Sequence, residues 1–82
     1  MNENFLRLNQ LKPGQKARVV KLLKSGPMRR RLQDLGFTEN SFVECTGRSP
    51  GGDPAAYLIK SALLALRDED SKEVLIMRCE EV

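Results

Sequence analysis

A chain of 82 residues with 30% charged side chains and a net charge of +3 has the makeup of one small soluble domain, too short for a full core plus a deep active-site cleft. Aromatics make up 5% and tryptophan is absent, so the core is expected to be aliphatic, helped by Phe5, Phe37, Phe42 and Tyr57. No basic stretch followed by an apolar one marks a secretory signal, and the longest apolar run, Ala62 to Leu66, is far below the ~20 residues a membrane helix needs. Cys45 and Cys79 lie far apart with no CxxC spacing and no histidine, which argues against a disulfide framework and suits a reducing, cytoplasmic setting.

The first predicted element is a short opening segment, Leu8 to Leu11, closed by a turn at Lys12-Pro13-Gly14. Lys16 to Lys24 reads as strand one. Its adjacent apolar pairs Val19-Val20 and Leu22-Leu23 break strict alternation, which predicts a bulge or strong bend. A helix follows: Ser25 or Gly26 can cap it and Pro27 suits its first position. Met28, Leu32 and Leu35 share one face, Gly36 is placed to stop it, and Phe37 can fold back on the last turn.

Thr38-Glu39-Asn40 leads as a turn into strand two, Ser41 to Arg48, with Val43 and Cys45 inward and Glu44 and Thr46 outward. Asn40 is one of the few non-glycine residues that tolerate a positive φ. Ser49 to Pro54 must be loop, given its two prolines and two glycines. Strand three, Ala55 to Lys60, sets Ala55, Tyr57 and Ile59 on one side. A tight turn near Ser61-Ala62 leads to strand four, Leu63 to Arg67, with Leu64 and Leu66 inward. Asp68 to Lys72 is a charged turn or single helical turn, and strand five, Glu73 to Cys79, turns Val74 and Ile76 inward. The expected fold is mainly β: five short strands with one short helix between strands one and two, closed into a small, bent barrel.

Charge is unevenly spread. Residues 1–31 hold nine Lys/Arg against one acid (+8), and residues 32–82 hold five bases against ten acids (−5), which sum to +3. The two halves can pair across the fold, or the dipole can steer a charged partner.

Four stretches together carry a family resemblance: L-x-x-L-x-P-G at Leu8 to Gly14, M-R-R-R-L-Q-D-L-G-F-T from Met28, G-D-P at Gly52 to Pro54, and A-L-R-D-E-D from Ala65. The combination resembles the FeoA family over nearly the whole chain. The resemblance implies one SH3-type β-barrel domain over residues 1–82, with a core at about 8–79. It also implies a small cytosolic accessory of the ferrous-iron transporter FeoB, with a related domain serving as a module in some iron-dependent repressors. Asn40 and Ser61 stand where the family usually has glycine, and Ser71 where it usually has alanine, which concerns local geometry only.

No catalytic set is evident, so an enzyme is not expected. A nucleophile needs a neighbouring base, and Cys45 and Cys79 sit mid-strand in apolar company without one. The run Asp68-Glu69-Asp70 reads as a solvated turn, since consecutive side chains point different ways. Gly51-Gly52 lacks the GKS or GKT of a phosphate loop. Isolated thiols and carboxylates give no stable metal site and no cofactor site; Glu80-Glu81 could coordinate a cation only weakly.

The leading expectation is a binding module. With Tyr57, Ile59, Leu64, Leu66, Val74 and Ile76 inside, Leu58, Leu63, Leu75 and Met77 point the other way and form a candidate partner or self-association patch, unless the helix or N-terminal segment covers them. Arg29 and Arg30 are candidate docking charges for an acidic surface such as a transporter's cytosolic G domain, while Arg31 is expected to fold onto the barrel and pair with an acid. The alternative is an SH3- or OB-like nucleic-acid-binding or transcription-regulatory module. It is disfavoured because such barrels need aromatic platforms, and the few aromatics here are assigned to core and turn.

Overall fold

The computed structural model describes residues 5–79. In chain order these form β1 (Phe5–Arg7), a 3-10 turn (Leu8–Gln10), β2 (Lys16–Leu22), α1 (Pro27–Asp34), β3 (Phe42–Arg48), β4 (Ala55–Ile59), β5 (Ala62–Leu66), α2 (Asp68–Ser71) and β6 (Val74–Arg78). The ladders are all antiparallel, in the order β1-β6-β2-β3-β4-β5. Two expectations are corrected here. Among the described residues the sheet has six strands rather than five and stays open, with β1 and β5 as unjoined edges, instead of closing into a barrel. The helix therefore follows the second strand, and a second short helix, α2, precedes the last.

The extra strand has a tertiary cause. Three residues carry no alternation that a sequence pattern could register, but β6 offers a free edge, and Phe5, Leu6 and Arg7 pair there with Met77, Ile76 and Leu75. The chain then turns inward, and Leu8 and Leu11, both fully buried, enter the core.

The expected bulge lies in β2. Val19 pairs with Ile76 and Lys21 with Leu75, so Val20 is the extra residue. The bulge is tied off by the turn before β3: the Val19 N–H donates to the Ser41 carbonyl (2.8 Å) and the Asn40 N–H to the Val19 carbonyl (2.7 Å). Asn40 holds the expected positive φ, at 72°. A second bulge falls between Cys45 and Gly47 in β3. The β4–β5 hairpin turns on Lys60 and Ser61, both at positive φ (49° and 68°), and so keeps its two-residue geometry without a glycine.

α1 ends as its sequence predicts. Gly36 has φ 113°, its N–H donates to the Gln33 carbonyl at 3.0 Å, and the Phe37 N–H donates to the Leu32 carbonyl at 3.0 Å. That pair of bonds is a Schellman motif, and its apolar partners Leu32 and Phe37 are both fully buried. Leu32 is the one buried residue of α1, with Met28 and Leu35 packed partly against the same core. Val43, Cys45, Tyr57, Ile59, Leu66, Val74 and Ile76 lie on the inner face as expected, joined by Val19, while Leu64, also expected inward, is half-buried against them. Phe5 and Phe42 do not join them: they are 39% and 66% exposed, a correction to the expected aromatic core. Inward Val43 and Cys45 require Phe42 to face outward.

Candidate functional site

The inner layer is organised by Arg48 at the end of β3. Its guanidinium donates to the carbonyls of Asn9 (2.6 Å), Leu11 (2.8 Å) and Gly52 (3.1 Å). The same layer continues through the Gly52-Asp53-Pro54 loop, where the Asp53 carboxylate accepts the Asp68 backbone N–H at 2.9 Å and so caps the start of α2. The Asn9 side-chain amide donates to Asp68 Oδ1 at 2.9 Å, which ties the 3-10 turn to the same helix. The short motifs that carry the family resemblance thus meet in one hydrogen-bonded framework. The acidic run is not the fully solvated turn expected, because Asp70 and Ser71 are buried. Asp70 receives Arg31 at 3.4 Å, the expected pairing of that arginine with an acid; Arg31 is still 58% exposed, so the pair contributes about 0.5 kcal/mol.

Tyr57 is fully buried beneath this layer and its hydroxyl donates to the Leu8 carbonyl at 3.4 Å. Burial pushes the hydroxyl above the ordinary tyrosine value of 10.0, with the Ser71 hydroxyl and the Arg48 guanidinium pulling it partway back. The folded chain therefore keeps this proton at pH values where the unfolded chain has released it. The resulting stability is complete below about pH 10 and is lost as pH rises through the folded value. Tyr57 is the sole tyrosine, so phenolate absorbance reads it directly. Its ionisation is expected to coincide with alkaline unfolding, and Tyr57→Phe is expected to flatten that part of the stability–pH curve. A phenolate that titrates at its ordinary value in the still-folded protein would contradict this.

The outer face carries the interaction candidates. Leu58 and Leu63 are cross-strand partners on β4 and β5, 38% and 68% exposed. Phe42 on β3 lines one shallow groove with Leu58, Lys16, Glu44 and Cys79. Leu75 and Met77 are half-buried on β6, and β2 and β3 separate them from the Leu58–Leu63 pair. The four leucine and methionine positions therefore do not form one patch, because face parity says nothing about strand order. Across β1, β6, β2 and β3, Phe5, Met77, Arg18 and Phe42 are successive partners in one row, with Arg18 Nη2 3.9 Å from Met77 Sδ. Neighbouring Lys16 and Glu44, of opposite charge, stand opposite each other in the β2–β3 register. Phe42, expected in the core, was not among the sequence-based interaction candidates, although the alternation of β3 already turned it outward.

On α1, Arg29 donates to the Leu22 carbonyl at 3.3 Å and is held against the end of β2, whereas Arg30 is exposed and makes no side-chain hydrogen bond among the described residues. Cys45 is buried and Cys79 half-buried, both as free thiols. Among the described residues no three His, Cys, Asp or Glu side chains gather as metal ligands, and no helix is long and apolar enough to cross a membrane. Glu80 and Glu81 lie outside the described residues.

A small, open antiparallel β module with a motif-bound inner layer and an outer face that exposes apolar side chains among charged ones is the class these features define. The family model for the FeoA domain matches residues 6–78, and the chain belongs to the FeoA family. A stretch of 69 residues is 29% identical to a Porphyromonas gingivalis protein, the Fe(2+) transport protein A/Fe(2+) transporter FeoB fusion protein. The match takes in 84% of this chain but 8% of that relative, so the chain spans a small fraction of its length. The solution structure of the FeoA-like protein from Clostridium acetobutylicum is similar at a TM-score of 0.87 and 25% identity, over 96% of this chain and 92% of that one. The Stenotrophomonas maltophilia FeoA structure, a zinc complex described as a prokaryotic SH3 domain protein, is similar at a TM-score of 0.78 and 27% identity, over 87% of this chain and 88% of that one. The fold is accordingly SH3-like, and the family is one of ferrous iron transport.

Proposed function

We propose that the chain acts as a non-catalytic cytoplasmic accessory of ferrous iron uptake, working as one module that docks on the cytosolic part of a FeoB-type transporter, its G domain, and modulates it. The observation that carries this reading is the fused relative, in which an A part resembling 84% of this chain shares one polypeptide with FeoB. Fusion places two parts at high effective concentration, which favours pairs that work in contact. The outer groove at Phe42 and Leu58, with Leu63 beside it opposite Leu58 on β5, is the contact surface, since exposed aromatic and aliphatic groups on a rigid sheet make good anchors. Leu75 and Met77 extend the same face two strands away, and Arg29 and Arg30 on α1 add charge that steers encounter.

An NMR shift map of the labelled chain, with the cytosolic domain of a FeoB-type transporter added, tests partner and surface together. Perturbations are expected to centre on residues 42, 58 and 63. No perturbation at saturating domain, with iron uptake unchanged in cells lacking the chain, would refute the reading. The row Phe5, Met77, Arg18, Phe42 also supports a second reading, because exposed rings beside a basic group are what a stacked base requires. Micromolar binding of a fluorescent oligonucleotide with a steep salt slope would favour the nucleic-acid module over the accessory.

A further inference from the structure

The two edges of the sheet are treated differently. β1 is three residues long, its Arg7 N–H is covered by the Gln10 side chain at 2.8 Å, and its Arg7 guanidinium donates to the Lys72 carbonyl at 2.9 Å. β5 has none of the usual protection: Ala62-Leu63-Leu64-Ala65-Leu66 contains no charge, no proline and no bulge, and its only strand neighbour among the described residues is β4.

Hairpin geometry says which backbone groups are left over. A two-residue loop at Lys60-Ser61 makes Ile59 and Ala62 the hydrogen-bonded pair that closes it, so Tyr57–Leu64 and Ala55–Leu66 are the next bonded pairs. Leu63 and Ala65 therefore turn their N–H and C=O groups away from β4, toward the open edge. On the outer face this edge carries Leu63 at 68% exposure and continues into Leu58 and Phe42.

We propose that the chain forms a two-fold dimer in which β5 pairs antiparallel with β5 of a second copy, making one continuous sheet. Two observations select a second copy as the occupant and fix the register with the axis at Leu64. Leu63 falls opposite Ala65 of the second copy and Ala65 opposite Leu63, so all four outward backbone groups of each edge are satisfied; registers that oppose Leu63 with itself, or Ala65 with itself, use half of them. The same register sets large against small on the outer face, Leu63 over Ala65 in both directions, which is the self-complementarity an isologous interface needs.

This proposal does not rest on the transporter reading, and its test uses the full chain alone. Sedimentation equilibrium between about 10 µM and 1 mM is expected to show a monomer–dimer equilibrium, with slower amide exchange at Leu63 and Ala65 as concentration rises. Ala65→Pro removes an N–H that β4 does not use and is expected to give a folded monomer. The double variant L63K/A65K sets like charges opposite each other and is expected to be monomeric, whereas L63K/A65E sets opposite charges there and is expected to dimerise at least as well as the parent. Should Ala65→Pro fail to fold, the two double variants decide the matter. A parent chain that stays monomeric at 1 mM, double variants that dimerise equally well, or exchange that slows elsewhere but not at Leu63 and Ala65 would overturn the proposal.

Discussion

Arg48→Ala is expected to cost about 3–5 kcal/mol of folding stability. Three carbonyls of two separate segments, Asn9, Leu11 and Gly52, accept from this one guanidinium at 2.6–3.1 Å. Bonds to a charged donor are each worth about 1.5–3 kcal/mol, and they share one side chain, so they do not add in full. For 82 residues, total stability is on the order of 4–12 kcal/mol, so the variant sits near the unfolding threshold. The damage should also be local. Without Arg48 the 3-10 turn and the Gly52–Pro54 loop lose their common tie, and Asp53 is no longer held to cap α2. Amide exchange of Asp68 and Leu11 is expected to accelerate before that of the β2–β6 ladder. Arg48→Lys should recover less than half of the loss, since an ammonium cannot span carbonyls that a planar fork can. Urea midpoints of the three proteins check this; a loss below about 1 kcal/mol for Arg48→Ala would mean that the framework is held by its apolar residues instead.

Arg48 was also the least legible of the important residues. It is one of fourteen Lys/Arg, and nothing local marks it, because its partners lie in segments that only the fold brings together. The Arg29-Arg30-Arg31 cluster stands out in the sequence, yet Arg31 pairs with Asp70 and Arg29 leans on a backbone carbonyl, which leaves Arg30 as the free charge of the three. Local features read well. Pro27 and Gly36 bracket α1 because each carries a backbone preference of its own, and the Val19-Val20 pair announced the β2 bulge because side-chain parity must break there. Non-local features did not. β1 is a strand only because β6 has an edge to share, and the open ladder order cannot be inferred from which residues face inward. Phe42 is an instructive miss, since composition suggested that so few aromatics must all be core, whereas the parity of Val43 and Cys45 already required this one to face out.

That exposed ring makes the sharpest test of where a partner docks. Phe42→Ala is expected to weaken binding of a FeoB-type cytosolic domain by about 30-fold, roughly 2 kcal/mol, while changing stability by less than about 1 kcal/mol. The separation is possible because the ring is 66% exposed in the free chain, so little core packing is lost when it is truncated, but a partner seated over it would bury it. Leu63 is a poorer choice for this purpose, since it also lies on the β5 edge and its truncation could act through self-association. Arg30→Ala should behave differently: a charge on the rim of an interface changes the association rate and its salt dependence, with an effect on affinity of about threefold or less at physiological salt. If the order is reversed, with Arg30→Ala abolishing binding and Phe42→Ala leaving it intact, the partner sits on α1 and not on the sheet. The outer row would then be free for another role, and because the ring lies beside Arg18 and Lys16, the stacking of a base would be the next one to measure.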